Sequence, residues 1–276
     1  MKTPCILLTV ILMTTSLFFF SCSKPSEPPP QPANTAHPLV KKVSWNANVT
    51  QYLNFFYNAD STVQKIVSGS SNLEWQYTSL FQYETKRLKA TVFEVNDVSA
   101  FSYNDQGKIS AVSNSNQGKE TSRDNYSYNV QGQLVHAETL QSFFSGPLKK
   151  SWETDYTYDA SGKLTQTVSK SYDENSAHTG TLTHQYQSHS PELYINPHSL
   201  LHPVYQHQVH AVFNVAFLSN TKYLPVKIAE SGRAGTSLVQ YEYEYATTDN
   251  RIDKLRCKIQ IDQAAPYYTN QAIFNY

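Results

Sequence analysis

Aromatic residues recur along this chain in pairs two positions apart: Phe55/Tyr57, Phe81/Tyr83, Phe101/Tyr103, Tyr126/Tyr128, Tyr156/Tyr158, Tyr243/Tyr245 and Phe274/Tyr276. Residues two apart on a strand share a face, so each pair sets two rings on one side of a sheet. Tyr241-Glu-Tyr-Glu-Tyr245 shows the pattern most cleanly, with rings on one face and carboxylates on the other. Three pairs run into the same turn. Tyr103-Asn-Asp-Gln-Gly107-Lys-Ile109, Tyr128-Asn-Val-Gln-Gly132-Gln-Leu134 and Tyr158-Asp-Ala-Ser-Gly162-Lys-Leu164 superpose without a gap. Asn or Asp starts a short turn, Gly takes a positive φ, and the aliphatic residue opens the return strand on the core side. Anchor tyrosines 20 to 30 residues apart leave room for one long hairpin per repeat.

The repeat resembles the YD repeat of bacterial surface and toxin-associated proteins, whose core is Tyr-Asp-x-x-Gly-x-Leu. The Tyr158 copy matches fully, and Tyr57 and Tyr83 lead copies without the glycine. After Tyr245, Asn250 is placed to supply the left-handed residue. Together with Ser219-Asn-Thr-Lys-Tyr-Leu224-Pro225-Val-Lys-Ile228, the pattern is similar to a family of Bacteroidota lipoproteins described as porin-like in fold. That resemblance covers most of residues 41–276 and implies a fold without an activity.

The N-terminus reads as an export signal. Lys2 is the only charge among residues 1–21, and the apolar runs Ile6–Met13 and Leu17–Phe20 precede Ser21-Cys22. A basic start, a short apolar core and a small residue before the cut are the layout of a secretory signal. The run is broken by Thr14-Thr15-Ser16 and falls short of the ~20 residues of a spanning helix. Phe19-Phe20-Ser21-Cys22 resembles a lipobox, with Phe19 where leucine is usual. That resemblance implies diacylglycerol on the sulfur of Cys22. Residues 22–40 follow as a proline-dense linker that favours extended geometry and cannot bury a core. At ~3.1 Å per residue it holds a domain up to roughly 50 Å from a membrane surface. The expected organisation is therefore a signal peptide at 1–21, lipidated Cys22 with its linker to 40, and one domain at 41–276.

Composition narrows the partners. The chain has 22 basic and 22 acidic residues; loss of Lys2 leaves 21 against 22, a formal charge of −1. No basic surplus points to nucleic acid. Charged residues are 16% of the chain while tyrosines number 20, so Ser, Thr, Asn and Gln must solvate much of the surface. After export Cys257 stands alone beside a lipidated Cys22, so no internal disulfide forms and packing must supply the stability. Cys257 lies in a strand-like segment and reads as a core thiol.

Between residues 173 and 222 the hairpin rhythm is expected to break. Pro191, Pro197 and Pro203 oppose long regular elements. Residues 205–218 carry Val209, Val212, Phe213, Ala216 and Phe217 at helical spacing. A helix there would cap the open end of a curved sheet. The same region holds His178, His184, His189, His198, His202, His207 and His210. No spacing among them matches a zinc site, so they read as polar loop residues, and neither a metal nor another cofactor is expected.

No hydrolase, phosphate-loop or dinucleotide motif is present. Asp155 with Asp159, and Glu242 with Glu244, read as solvated strand faces or turns. Trp45, Trp75 and Trp152, with the tyrosines, suit stacking on sugars, although most of these rings are expected to pack. The terminal Phe274-Asn-Tyr276 resembles the ends of outer-membrane barrels. The non-aromatic strand faces, however, are Ser, Thr, Asn, Gln and charge, where a lipid-facing band needs apolar residues. The expectation is all-β: an antiparallel meander of YD-like hairpins forming a strongly curved or closed sheet with a small helical or irregular cap. It would be an outer-membrane lipoprotein of the cell envelope, non-enzymatic, binding a glycan or a protein partner; a glycan-active hydrolase or a structural scaffold is the alternative.

Overall fold

A computed structural model describes residues 38–46, 50–71, 76–94, 96–144, 146–205, 213–232 and 238–276. The signal, Cys22, most of the linker, Trp75, His207, His210, Val209 and Val212 lie outside the described residues.

Strands follow one another in an almost unbroken meander. They are β1 (Lys42–Asn46), β2 (Thr50–Tyr57), β3 (Val63–Ser70), β4 (Gln76–Glu84), β5 (Arg87–Phe93), β6 (Asp97–Tyr103), β7 (Ile109–Asn116) and β8 (Lys119–Tyr128). Then come β9 (Leu134–Ser142), β10 (Leu148–Tyr158), β11 (Leu164–Tyr172) and β12 (His178–His189). Helices α1 (Pro197–Tyr205) and α2 (Val215–Leu218) precede β13 (Pro225–Ser231), β14 (Val239–Thr248), β15 (Arg251–Ile261), β16 (Tyr267–Tyr268) and β17 (Ala272–Asn275). All pairings are antiparallel, and β17 pairs with β1 through Lys42↔Asn275 and Val43↔Phe274. The sheet therefore closes on itself. Both β16 and β17 lie along β15, so they share the sixteenth stave of the barrel. Closure removes the exposed edges that an open hairpin array would present.

The three superposable turns are built alike. At Asn104, Asn129 and Asp159 the side-chain oxygen accepts the backbone N–H groups two and four residues on, and Gly107, Gly132 and Gly162 hold positive φ. A further copy follows Tyr172: Asp173 caps Asn175 and Ala177 in the same way, with Ser176 at φ 61° in place of glycine. The rhythm thus continues through β12, later than the sequence indicates, and the true interruption spans residues 190–224.

In the first two of the glycine turns the residue after the glycine runs towards the next turn. Lys108 crosses Gly132 and the Gln133 side chain reaches Gly162. A methyl group on Gly132 would meet the Lys108 Cε at 2.8 Å, the movable end of a flexible chain. At Gly118, also left-handed with φ +78°, a methyl meets nothing within 4 Å. Gly132→Ala and Gly118→Ala are therefore both expected to cost about 1–2 kcal/mol, the price of a left-handed alanine. Thermal unfolding of the two variants checks this, and a much larger loss at Gly132 would mean that Lys108 is not free to move.

The second aromatic of each doublet is always tyrosine, and its hydroxyl explains why. Tyr57 donates to Val40 O, Tyr103 to Leu88 O, Tyr128 to Ile109 O, Tyr158 to Leu134 O, Tyr245 to Pro225 O and Tyr276 to Ile252 O, at 2.6–2.9 Å. Tyr83 bonds the Val63 backbone in the same manner. All of these acceptors except Val40, which precedes β1, lie at the start of the neighbouring strand, next to a register shift that interrupts the ladder. Burial pushes the phenols of Tyr83 and Tyr276 up to about 12, so both remain donors throughout ordinary pH. Each such bond contributes roughly 1 kcal/mol.

Rings face inward. Phe55, Tyr126, Tyr156, Tyr243 and Phe274 are buried in one cluster with Trp45, Leu134, Leu164 and Leu255. The helical segment enters at the end of the barrel that carries the tyrosine-anchored turns. Leu200, Phe213, Ala216, Phe217 and Leu218 are buried there. Phe217 stacks on Tyr156 at 6.1 Å between ring centroids, and Phe213 meets Tyr243 edge-on at 6.3 Å. Asn214 caps α2 through the Phe217 N–H and also donates to the Tyr156 hydroxyl. The helical cap expected over 205–218 is in place in part: α2 falls inside that span, but α1 lies ahead of it, with Pro197 as its first residue and Pro203 within it. Pro197 needs no N–H partner at a helix start. The terminal Phe274 and Tyr276 close the barrel on its inner side.

Candidate functional site

Counting back by twos from the buried rings leads along the inner wall toward the opposite end. From Tyr126 the inward positions are Asp124 and Ser122; from Tyr156 they are Thr154 and Trp152; from Tyr186 comes His184; from Ile228 comes Glu230. These side chains are polar at positions whose parity is that of the core. Two tiers result.

The deeper tier is buried and satisfied. His184 Nε2 lies 3.0 Å from Glu230 Oε2, and the Tyr241 hydroxyl donates to the same oxygen at 3.2 Å. His184 Nδ1 lies 3.3 Å from Thr167 Oγ1, which also meets the Tyr186 hydroxyl at 3.1 Å. Thr154 and Ser169 share a 2.9 Å hydroxyl contact, and Trp152 Nε1 donates to Thr154. Cross-strand register accounts for the grouping, because Tyr156↔Thr167↔His184↔Glu230 are successive partners on β10 to β13. The hydroxyl, imidazole and carboxylate of Thr167, His184 and Glu230 are connected as in a nucleophile, base and orienting acid. Thr167 is fully buried, however, and its hydroxyl is shared with Tyr186, so the chain of contacts serves structure.

The shallower tier is partly accessible. Ser99 donates to Asn114 Oδ1 at 2.7 Å, Asn114 donates to Ser122 at 3.0 Å, and Thr139 donates to Asp124 at 2.6 Å. Burial raises the Asp124 carboxyl above its usual range, against the Thr139 hydrogen bond. Trp152 stands opposite Thr139 on the neighbouring strand. Further along the same inner face, Tyr77 and Phe93 approach at 5.4 Å between centroids and stay 39% and 38% exposed. Half-exposed rings beside hydroxyl, amide and carboxylate groups can stack on an apolar ligand face while bonding its polar rim.

The outer face differs. Glu242 contacts Lys227 and Lys258 across β13, β14 and β15, and Arg256 pairs with Glu244. On β9 to β11 the Tyr172 hydroxyl, with Lys150 and Lys170, draws Glu153 down to about 2. Asp155 meets His136 and Asp159 caps a turn, so the four carboxylates singled out in the sequence form no catalytic pair facing a cleft. An outer row of Phe56, Leu80, Val92 and Val98 is interrupted by Lys65, which lies over the Phe56 ring.

Other sequence candidates are dispersed. Among the histidines, His198 packs edge-on to Phe81 at 5.0 Å and burial drives it down to about 4, while burial also lowers His189. His178 lies beside Thr181. Among the described residues no group of three or more His, Cys, Asp or Glu is placed to hold a metal. Trp45 is buried in the core, and burial pushes the Cys257 thiol up to about 12. A small open pocket of about 130 Å³ lies between Gln133, Tyr158, Asn220 and Tyr223, where α2 leaves the barrel. No helix among the described residues is long and apolar enough to cross a membrane.

No protein-family model matches the chain, and no curated relative matches it in sequence. Solved structures do resemble it. A porin-like protein from Bacteroides vulgatus aligns over 86% of this chain and 98% of its own at 14% identity, with a TM-score of 0.47. A porin-like protein from Bacteroides uniformis aligns over 86% of this chain and 97% of its own at 15% identity, with a TM-score of 0.58, so the chain shares the closed antiparallel barrel of that protein.

Proposed function

We propose that this chain is a non-enzymatic lipoprotein of a bacterial outer membrane, held by lipid on Cys22, whose barrel captures a glycan on its inner wall. The observation that carries the reading is the shallow inner tier. Tyr77, Phe93 and Trp152 offer partly exposed rings, and Ser99, Asn114, Ser122 and Thr139 stand beside them with amide and hydroxyl groups. The resemblance of its turns to YD repeats, and of its barrel to a porin-like protein of Bacteroides, supports an envelope setting. The ion pairs outside the barrel support attachment by lipid rather than by the strands, because charge on a lipid-facing strand costs about 2–4 kcal/mol at the bilayer midplane.

Two measurements test this. A glycan array probed with the lipid-free mature chain is expected to show binding that Phe93→Ala or Trp152→Ala weakens; a blank array, with or without a protein partner captured instead, overturns the glycan assignment. A Cys22→Ser chain is expected in the soluble fraction or unprocessed. Retention in the membrane after correct cleavage would mean that something other than lipid holds it.

A further inference from the structure

Most charged side chains of the barrel wall are already matched. Lys150, Lys170, Lys227, Arg256 and Lys258 stand on the outward register and find carboxylates there. On the inward register stand Asp97, Lys119, Asp124, Lys149 and Glu230; Asp97 accepts from Asn116, Lys149 donates to the Glu174 carbonyl, and Glu230 has His184. Asp124 is different. Its Oδ1 accepts from Thr139, and among the described residues it forms no ion pair. It is partly accessible, on the shallow tier, with Ser122 preceding it by two and Trp152 across Thr139. A half-desolvated carboxylate that keeps acceptor capacity favours a donor from a ligand, and most of all a charged donor. It repels an anion.

We propose that Asp124, Asn114 and Trp152 form a subsite for an amino sugar carrying a free ammonium group. The Trp152 ring takes the apolar face of the pyranose, Asp124 accepts from the ammonium, and the Asn114–Ser122 pair meets its hydroxyls. The proposal rests on the inner wall being a glycan site and adds the class of glycan: cationic before neutral, with uronic or sulfated chains refused. A charged in place of a neutral hydrogen bond is worth about tenfold in affinity.

Calorimetric titration of the full mature chain distinguishes the two levels. The probes are a chitosan hexamer with protonated amines, the fully N-acetylated chitin hexamer and an oligogalacturonate of equal length. Expected is a chitosan affinity about tenfold above chitin, with no galacturonate binding. Asp124→Asn should bring chitosan down to the chitin value and leave chitin unchanged, whereas Trp152→Ala should weaken both. Equal affinity for the two hexamers, or a preference that survives Asp124→Asn, overturns the amino-sugar assignment while leaving a glycan site standing. Binding to none of the three overturns it as well, and a blank array then also removes the glycan reading beneath it. If Asp124→Asn does not fold, added salt on the native chain supplies the same readout: the chitosan preference must shrink with salt, and one that does not is not electrostatic.

Discussion

Glu230→Ala is expected to destabilise the barrel by about 3–5 kcal/mol, because removing one member of a buried pair leaves the other buried without its partner. Glu230 is 1% exposed, His184 is 3% exposed, and the carboxylate holds both the imidazole and the Tyr241 hydroxyl. Its loss therefore removes a hydrogen bond from two buried polar groups at once. Urea denaturation read by circular dichroism measures the effect. The double replacement His184→Leu/Glu230→Leu is expected to recover part of the loss, since apolar groups of similar size often substitute for a buried pair at little cost. A fall below about 1 kcal/mol for Glu230→Ala would show that water reaches the site and that the tier is not sealed.

Phe217→Ala is expected to cost about 3–5 kcal/mol for a different reason. Phe217 is 2% exposed, stacks on Tyr156 and meets Phe213 edge-on at 5.7 Å. A sixteen-stave barrel is too wide for its own side chains to fill, since about eight strands already reach that limit. The helical segment fills one end, and truncating its central ring leaves a cavity that neighbouring strands, tied in closed ladders, cannot collapse around. The same denaturation experiment reads the loss. If the cost were under 1 kcal/mol, the plug would be an accessory to a barrel stable without it.

The two deep groups and the accessible wall behind them were partly legible in the sequence. The doublets set the inward parity, and that parity runs straight from Tyr126 to Asp124 and from Tyr156 through Thr154 to Trp152. A polar residue on core parity is the signal that something other than packing is served there. Metal-ligand spacing could not find His184, because its partner Glu230 is 46 residues away and meets it only through the β12–β13 register. Asp173–Ala177 escaped the repeat pattern because Ser176 carries the positive φ that glycine carries elsewhere.

By itself the sequence determined the local chemistry: period-two rings, Asn or Asp opening a turn, glycine in the left-handed position, and an aliphatic residue beginning each return strand. Those are short-range facts, fixed by which backbone angles and faces a few neighbouring residues allow. Only the tertiary structure decided that the meander closes, because closure depends on β1 finding β17 more than two hundred residues later. It also decided that the doublet tyrosines bind the neighbouring strand's carbonyls, that the helical segment plugs one end, and that Asp124 faces inward without an ion pair among the described residues. Each of these follows from register between distant strands, a quantity that no local window of sequence contains.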